Sequence, residues 1–265
     1  MIIRKLWRVL ALDFSRTLQY RTDALLWMLA EAAIPLVAMF IWLAVSAGSN
    51  KGPTGQEILS YYVVVIFVKL LTDAWNGAFM AQDILQGEIV QDLVRPIPVV
   101  FKYIANNLTE KVIKLILPIA AIIFIALLKP DFFSNALLLP HRWLLFVISL
   151  ALAMTLQFLI DMVIGTLAFW LEDVNQLRQY KEMLSSAASG LLIPLAFLPS
   201  VFVTGLNWLP FRYVISAPAE ILTGNYVSLT APSLITIQAA WVFALVLIIR
   251  WQWRAGLRRY AIPGQ

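Results

Sequence analysis

The sequence has no cysteine and a single histidine, His141. Disulfides, thiolate metal sites and Cys or His catalytic pairs are thereby excluded or nearly so. Charged residues are also scarce, at 13% of 265 residues, while apolar residues make up 61% and the mean hydropathy is +0.82. A soluble globular domain is about 45–50% apolar, so this composition defines an integral membrane protein. The formal charge of +5 does not point to nucleic acid. The basic residues sit at the ends of apolar runs rather than on one solvated face. No GxxxxGK[ST] sequence occurs, and no stretch is polar enough to form a soluble nucleotide-binding domain.

What is present is a succession of apolar runs, about 20 residues being enough to cross a bilayer. Residues Ile3, Leu6, Trp7, Leu10, Phe14 and Leu18 recur at helical spacing among Arg4, Lys5, Arg8, Arg16 and Arg21. This pattern predicts an amphipathic interfacial helix over residues 1–22. Asp13 and Arg16 interrupt the apolar core that a cleavable signal would need, so the segment is expected to stay in the mature chain. Spans are predicted at Ala24–Val45, Ile58–Met80, Val112–Leu128, Trp143–Trp170, Met183–Leu198 and Pro232–Ile249. Between the last two, residues 199–224 are cut by Gly205, Pro210 and Pro218 and cannot form one helix. They are expected to form two short helices dipping back into the membrane, packed against other helices that satisfy their backbone.

The polar stretch at 81–98, AQDILQGEIVQDLVRPIP, lies after the second span. Ile84, Leu85, Ile89, Leu93 and Val94 have the period of an amphipathic helix, Gly87 interrupts it, and Arg95 with Pro96 and Pro98 ends it. Lys and Arg cluster before the first span, after the second and fourth, and at the C-terminal end. The other side carries Lys51, Lys129, Arg142 and Arg212. The positive-inside rule then puts both termini in the cytoplasm, in accord with an even number of spans.

Glu31, Lys69, Asp73 and Asp161 are charges inside spans. Lys69 and Asp73 are one helical turn apart, and a lone ion at that depth costs about 2.5–3.5 kcal/mol, so mutual pairing is expected. Glu31 and Asp161 have no such neighbour, and Asp161 is expected close enough to the cytoplasmic end of its span to reach water. His141 reads as an exposed loop residue.

The order of these elements resembles the permease subunits of type-2 ABC exporters. GEIVQDLVRPI at Gly87–Ile97 resembles that family's coupling helix, and GLLIPLAFLP with LPFRYVISAPAEILTG over Gly190–Gly224 resembles its extracellular re-entrant hairpin. The resemblance implies an all-α integral membrane protein: six transmembrane helices in one domain, with an N-terminal interfacial helix, a cytoplasmic coupling helix and a re-entrant hairpin before the last span. It implies a bacterial inner-membrane location, two ATP-binding cassette subunits and a second permease half, identical or homologous. ATP and Mg²⁺ would be held by those partner chains, with no cofactor in this one.

The coupling contacts it implies are Leu85, Ile89 and Leu93 as an apolar face and Glu88, Asp92 and Arg95 as polar rim, together with Gly87. A second contact is expected from the loop containing Glu172, Asp173, Arg178 and Lys181. Around the hairpin, Pro194, Pro199, Trp208, Pro210, Phe211, Arg212 and Tyr213 mark a candidate exit for a drug-like, lipid or lipid-linked glycan substrate. Two other classes compete. A membrane-embedded enzyme would need clustered carboxylates or an activated nucleophile, and only Glu172 and Asp173 are adjacent acids. A secondary transporter would carry broken helices in both halves, and only the second half is visibly broken.

Overall fold

The computed structural model describes residues 21–48, 52–96, 98–115, 118–120 and 140–260. The interfacial helix expected over 1–22 and most of the third span lie outside this set. Among the described residues the chain is helical throughout. Its elements are α1 (Arg21–Ala47), α2 (Gly55–Thr72), α3 (Asn76–Leu85), α4 (Ile89–Leu93), α5 (Val100–Lys114), α6 (Pro140–Thr166), α7 (Asn175–Ala188), α8 (Ser200–Leu206), α9 (Arg212–Thr223) and α10 (Ala231–Tyr260). A 3₁₀ turn at Leu167–Phe169 prolongs α6, and a second lies at Leu195–Phe197. Four stretches among the described residues are long and apolar enough to cross a membrane: Leu26–Ala47, Gly55–Leu85, His141–Phe169 and Ala231–Tyr260.

Helix α2 starts at a capping box. Thr54 accepts a hydrogen bond from the Glu57 amide at 3.3 Å while the Glu57 carboxylate accepts one from the Thr54 amide at 2.7 Å. The predicted span Ile58–Met80 is not one helix. The chain leaves helical geometry at Asp73 (φ −50°, ψ 141°) and re-enters it at Asn76. Helix α3 then runs on to Leu85, so the segment 81–98 is not a separate helix either. Its first residues finish α3, a turn follows at Gln86–Glu88 with Gly87 at φ 78°, and only Ile89–Leu93 form the short α4.

The predicted fifth span, Met183–Leu198, also departs from expectation. Helix α7 stops at Ala188, where Gly190 takes φ 84°, a left-handed value that glycine adopts without steric cost. The backbone beyond it is held by other helices. The Ser189 carbonyl accepts from the Ser216 amide, Gly190 from the Tyr61 hydroxyl at 2.9 Å, and Leu192 from Trp42 and Tyr62. Irregular backbone inside an apolar bundle is stable only with such internal partners. In 199–224 the two short helices are present as α8 and α9, but Pro218 lies within α9 instead of ending it.

Helix α9 is the centre of the fold, with all of its residues buried. It packs on α6 and α2, and α10 packs against both α6 and α9. The main core joins Tyr62, Val65, Val68, Leu156, Tyr213 and Ile221. Polar cross-links replace the hydrophobic drive that lipid does not supply. Gln238 of α10 donates to the carbonyls of Ser149 and Tyr213, and Thr166 of α6 bonds Gln252 of α10 at 2.7 Å. A second core, around Met80, Ile84, Ile89, Tyr103, Met162 and Phe169, fills the end of the bundle that carries Gly87. There α3 and α6 touch backbone to backbone at Gly77 and Gly165, where a Cβ on either would overlap the other chain segment.

Candidate functional site

The break between α2 and α3 organises the buried charges. A helix end leaves carbonyls at one side and amides at the other without partners, and here both are met by other helices. The Asp73 carbonyl accepts from the Lys111 ammonium of α5. The Gly77 amide donates to the Asp161 carboxylate of α6 at 2.6 Å. The expected Lys69–Asp73 pair is present at 2.6 Å, and the Trp75 indole donates to the second Asp73 oxygen at 2.8 Å.

Glu31 belongs to the same cluster. It lies 2.8 Å from Lys114 of α5, and Lys114 also reaches Glu110 at 2.7 Å and Asp73 at 3.7 Å. Three cations and three anions from α1, α2 and α5 thus meet around the break. Lys111 and Lys114, two of the basic residues that follow the second span, are therefore not exposed loop cations but are each 3% exposed. A carboxylate in α1 with no cation in reach on its own helix was the signal that basic residues elsewhere must turn inward.

Asp161 is likewise corrected. It does not reach water, being fully buried, and its partners are the Gly77 amide and Lys181 of α7 at 3.2 Å. Lys181 therefore belongs to this interior contact rather than to an exposed loop. Arg178, one turn earlier on α7, lies over the Trp75 ring at 5.3 Å.

At the Gly87 end the turn and α4 are clamped to the bundle. Lys102 bonds Asp83 at 2.7 Å and Asp92 at 2.9 Å, Tyr103 donates to Asp83 at 2.6 Å, and Arg95 bonds Asp92 at 2.6 Å. Tyr260 of α10 donates to the Ile84 carbonyl at 3.2 Å. Burial works against the Lys102 charge, but its hydrogen bonds to Asp83 and Asp92 outweigh this and hold the ammonium above its usual range. The Lys102 ammonium is thus charged at neutral pH, and its share of the clamp is lost as pH rises through that raised value. Burial, then the bond to Asp83, pushes the Tyr103 phenol up as well.

The expected apolar face of this segment is only partly exposed. Ile89 is fully buried in the chain's own core and Asp92 is buried in the clamp, while Leu85, Glu88, Leu93 and Arg95 are exposed. Val90, outside the expected apolar set, and Val94 are exposed too, Val94 at 82%. The five-residue helix is too short for a heptad-like stripe, and anchoring it consumes one of its large apolar side chains. Replacing Lys102 by Ala is expected to raise amide exchange across 86–94 by roughly threefold to tenfold, about 1 kcal/mol for a half-exposed clamp. Exchange in α9 should not change, and mass-resolved hydrogen exchange measures both.

Around the hairpin, the predicted residues do not share one surface. Arg212 and Tyr213 are fully buried, Pro194 is buried, Pro210 and Phe211 are half-buried, and Pro199 and Trp208 are exposed. Arg212 forks onto Glu220, one turn pair along α9, at 3.1 and 3.3 Å, and also bonds Ser228 at 2.9 Å. Tyr213 donates to the Asn207 carbonyl at 2.8 Å, closing the α8–α9 turn. Both side chains are taken up by contacts within the chain. Trp208 does border an open apolar groove of about 520 Å³, together with Leu229, Ile237 and Trp241 of the α10 side. A second cavity of about 500 Å³ lies between the α2 start and the loop after α9, with Tyr61, Glu220 and Tyr226 in its walls. Among the described residues no group of acids and His is arranged to hold a metal ion.

The profile of the ABC-2 family transporter proteins matches residues 29–264. The chain belongs to that family, and it is a multi-pass transmembrane permease of an ABC transporter. Comparison with curated proteins gives no match.

Proposed function

We propose that the chain forms half of the translocation pathway of an ATP-driven exporter and works with a second permease half, identical or homologous. Two separate ATP-binding subunits would hold ATP and Mg²⁺. Both termini and the Gly87 turn would face the cytoplasm of a bacterial inner membrane, and α8 with α9 would form the re-entrant hairpin near the opposite face. The substrate class is amphipathic: a drug-like molecule, a lipid or a lipid-linked glycan.

The observation that carries this reading is the build of residues 86–95. Ile89 and the Asp83–Lys102–Asp92 clamp root the segment in the bundle, and Leu85, Val90, Leu93 and Val94 are left bare on its outside. An element that receives force needs a stiff root and an unpaid apolar surface, and this one has both. Displacement of α4 would pass to α3 and from there to the break at Asp73–Trp75, where Lys111, Asp161 and Glu31 tie three other helices. ATP binding can shift the permease only through contacts that differ between its two states, and this surface is where such contacts would form.

The test is substitution of Val90 and Leu93 by Asp in the reconstituted complex. Placing two carboxylates at the centre of an apolar contact is expected to lower transport-coupled ATPase activity at least tenfold, a loss of about 1.4 kcal/mol or more. The variant should still insert and keep its denaturation midpoint, since both side chains are exposed. Undiminished coupling would remove the segment from the ATPase interface.

A further inference from the structure

The last third of α10 has two faces of different character. Gln252, Gly256 and Tyr260 are docked: Gln252 on Thr166, Gly256 against the Phe169 ring, and Tyr260 on the Ile84 carbonyl. On the opposite face stand Arg250, Arg254 and Arg258, all exposed, with Trp251 beside them at 68% exposure. At the helical angle per residue these four side chains fall within an arc of about 100°. None of the three arginines pairs with a carboxylate among the described residues, and α10 contains no Asp or Glu.

We propose that this row is a binding surface for the phosphate headgroups of anionic phospholipids. Its position along the helix carries the argument. Helix α10 has 30 residues, about 45 Å at 1.5 Å per residue, so with its N-terminal end at one edge of a hydrocarbon core about 30 Å thick it runs roughly 15 Å past the other edge. Measured from Ala231, Arg250 comes at about 28 Å, the edge of a hydrocarbon core about 30 Å thick. Arg254 then follows about 6 Å farther, in the headgroup layer, and Arg258 another 6 Å on, at its water side and within reach of a long side chain bent back toward the phosphates. Guanidinium groups fork onto phosphate oxygens, and an exposed indole at the same level is the usual interfacial partner. An acidic protein surface is the competing occupant. It is disfavoured because the row faces away from the docked side of α10, where Tyr260 meets the Gly87 turn. This surface is independent of the coupling role given to residues 86–95.

The experiment uses the full chain purified in detergent, mixed with equal phosphatidylglycerol and phosphatidylcholine, and native mass spectrometry of the retained lipids. Wild type is expected to retain phosphatidylglycerol preferentially. At about fivefold per cation near a charged surface, R254Q/R258Q should lower that preference roughly 25-fold, while R254K/R258K keeps most of it. Should the Gln variant fail to fold, the wild type supplies the answer by itself. Raising ionic strength to about 1 M, where screening shortens to about 3 Å, should abolish the preference. Equal retention of both lipids by wild type, a salt-insensitive preference or an unaltered Gln variant would each overturn the proposal. So would loss of ATP-binding-subunit capture by R254Q/R258Q with an unchanged lipid ratio, which would assign the row to a protein.

Discussion

Replacing Asp161 by Ala is expected to lower the stability of the bundle by about 3 kcal/mol, the lower part of the range for breaking a buried ion pair. Three helices meet at this carboxylate. It caps the Gly77 amide at the start of α3, pairs with Lys181 of α7, and belongs to α6. Its loss leaves Lys181, 4% exposed, with only the neighbouring Glu182 carboxylate, itself partly in solvent. That remaining partner is why the upper part of the range does not apply. Asp161→Asn should fall between wild type and D161A, because an amide oxygen still accepts from Gly77 but brings no charge to Lys181. Removing both partners in D161A/K181A should recover part of the loss and leave about 1 kcal/mol for the uncapped helix start. Denaturation midpoints in detergent for wild type, D161A, K181A and D161A/K181A give the cycle, with D161N measured beside them. A D161A midpoint equal to wild type would mean that the carboxylate holds nothing.

The second large effect is expected at Arg212. It is fully buried, and Glu220 is 2% exposed, so R212A strands a carboxylate in the middle of α9 at a cost of about 3–5 kcal/mol. Val227 and its amide, 3.4 Å from Glu220, are too weak a partner to replace a guanidinium fork. Arg212→Lys keeps the charge but cannot bridge both Glu220 oxygens and Ser228 at once, and is expected to lose about half as much. Exchanging both residues for apolar ones of similar size, R212M/E220L, should cost far less than R212A alone, since well-packed apolar pairs often match buried ion pairs. Hydrogen exchange over residues 207–228 locates the damage, and the midpoint measures it. If R212A and the double variant were equally unstable, side-chain volume rather than charge would be what this site requires.

These two sites differ in how far they were readable from the chain. Arg212 was visible as a charge in an apolar, Pro-rich stretch, but it read as part of an exit, and its partner Glu220 went unremarked eight residues on. Asp161 read as a carboxylate near water. The i,i+4 spacing of Lys69 and Asp73 did reveal their pairing, because both partners sit on one helix and local geometry suffices. Gly87 was equally plain as a break in the helical pattern. The break at Asp73–Trp75 had no local signal: no Pro stands there, and the nearest glycine is Gly77. It is stabilised by Lys111 and Asp161, from α5 and α6, so a reading confined to the neighbouring residues had no access to its cause. For the same reason Ile89 counted as one of a row of outward-facing apolar residues, when burial against Tyr103 and Phe169 was a property of the assembled end.

Membrane residence, the approximate extent of the long spans and the type-2 permease character belong to the sequence alone. Transfer into hydrocarbon is nearly additive along a run of residues, so composition and order decide it without reference to anything distant. Which charges are neutralised, where a span is interrupted and which apolar side chains stay bare were settled only by the packed helices. A buried ion is tolerated only beside its counter-ion, and in this chain Glu31 finds Lys114, and Gly77 finds Asp161, across more than eighty residues of intervening chain.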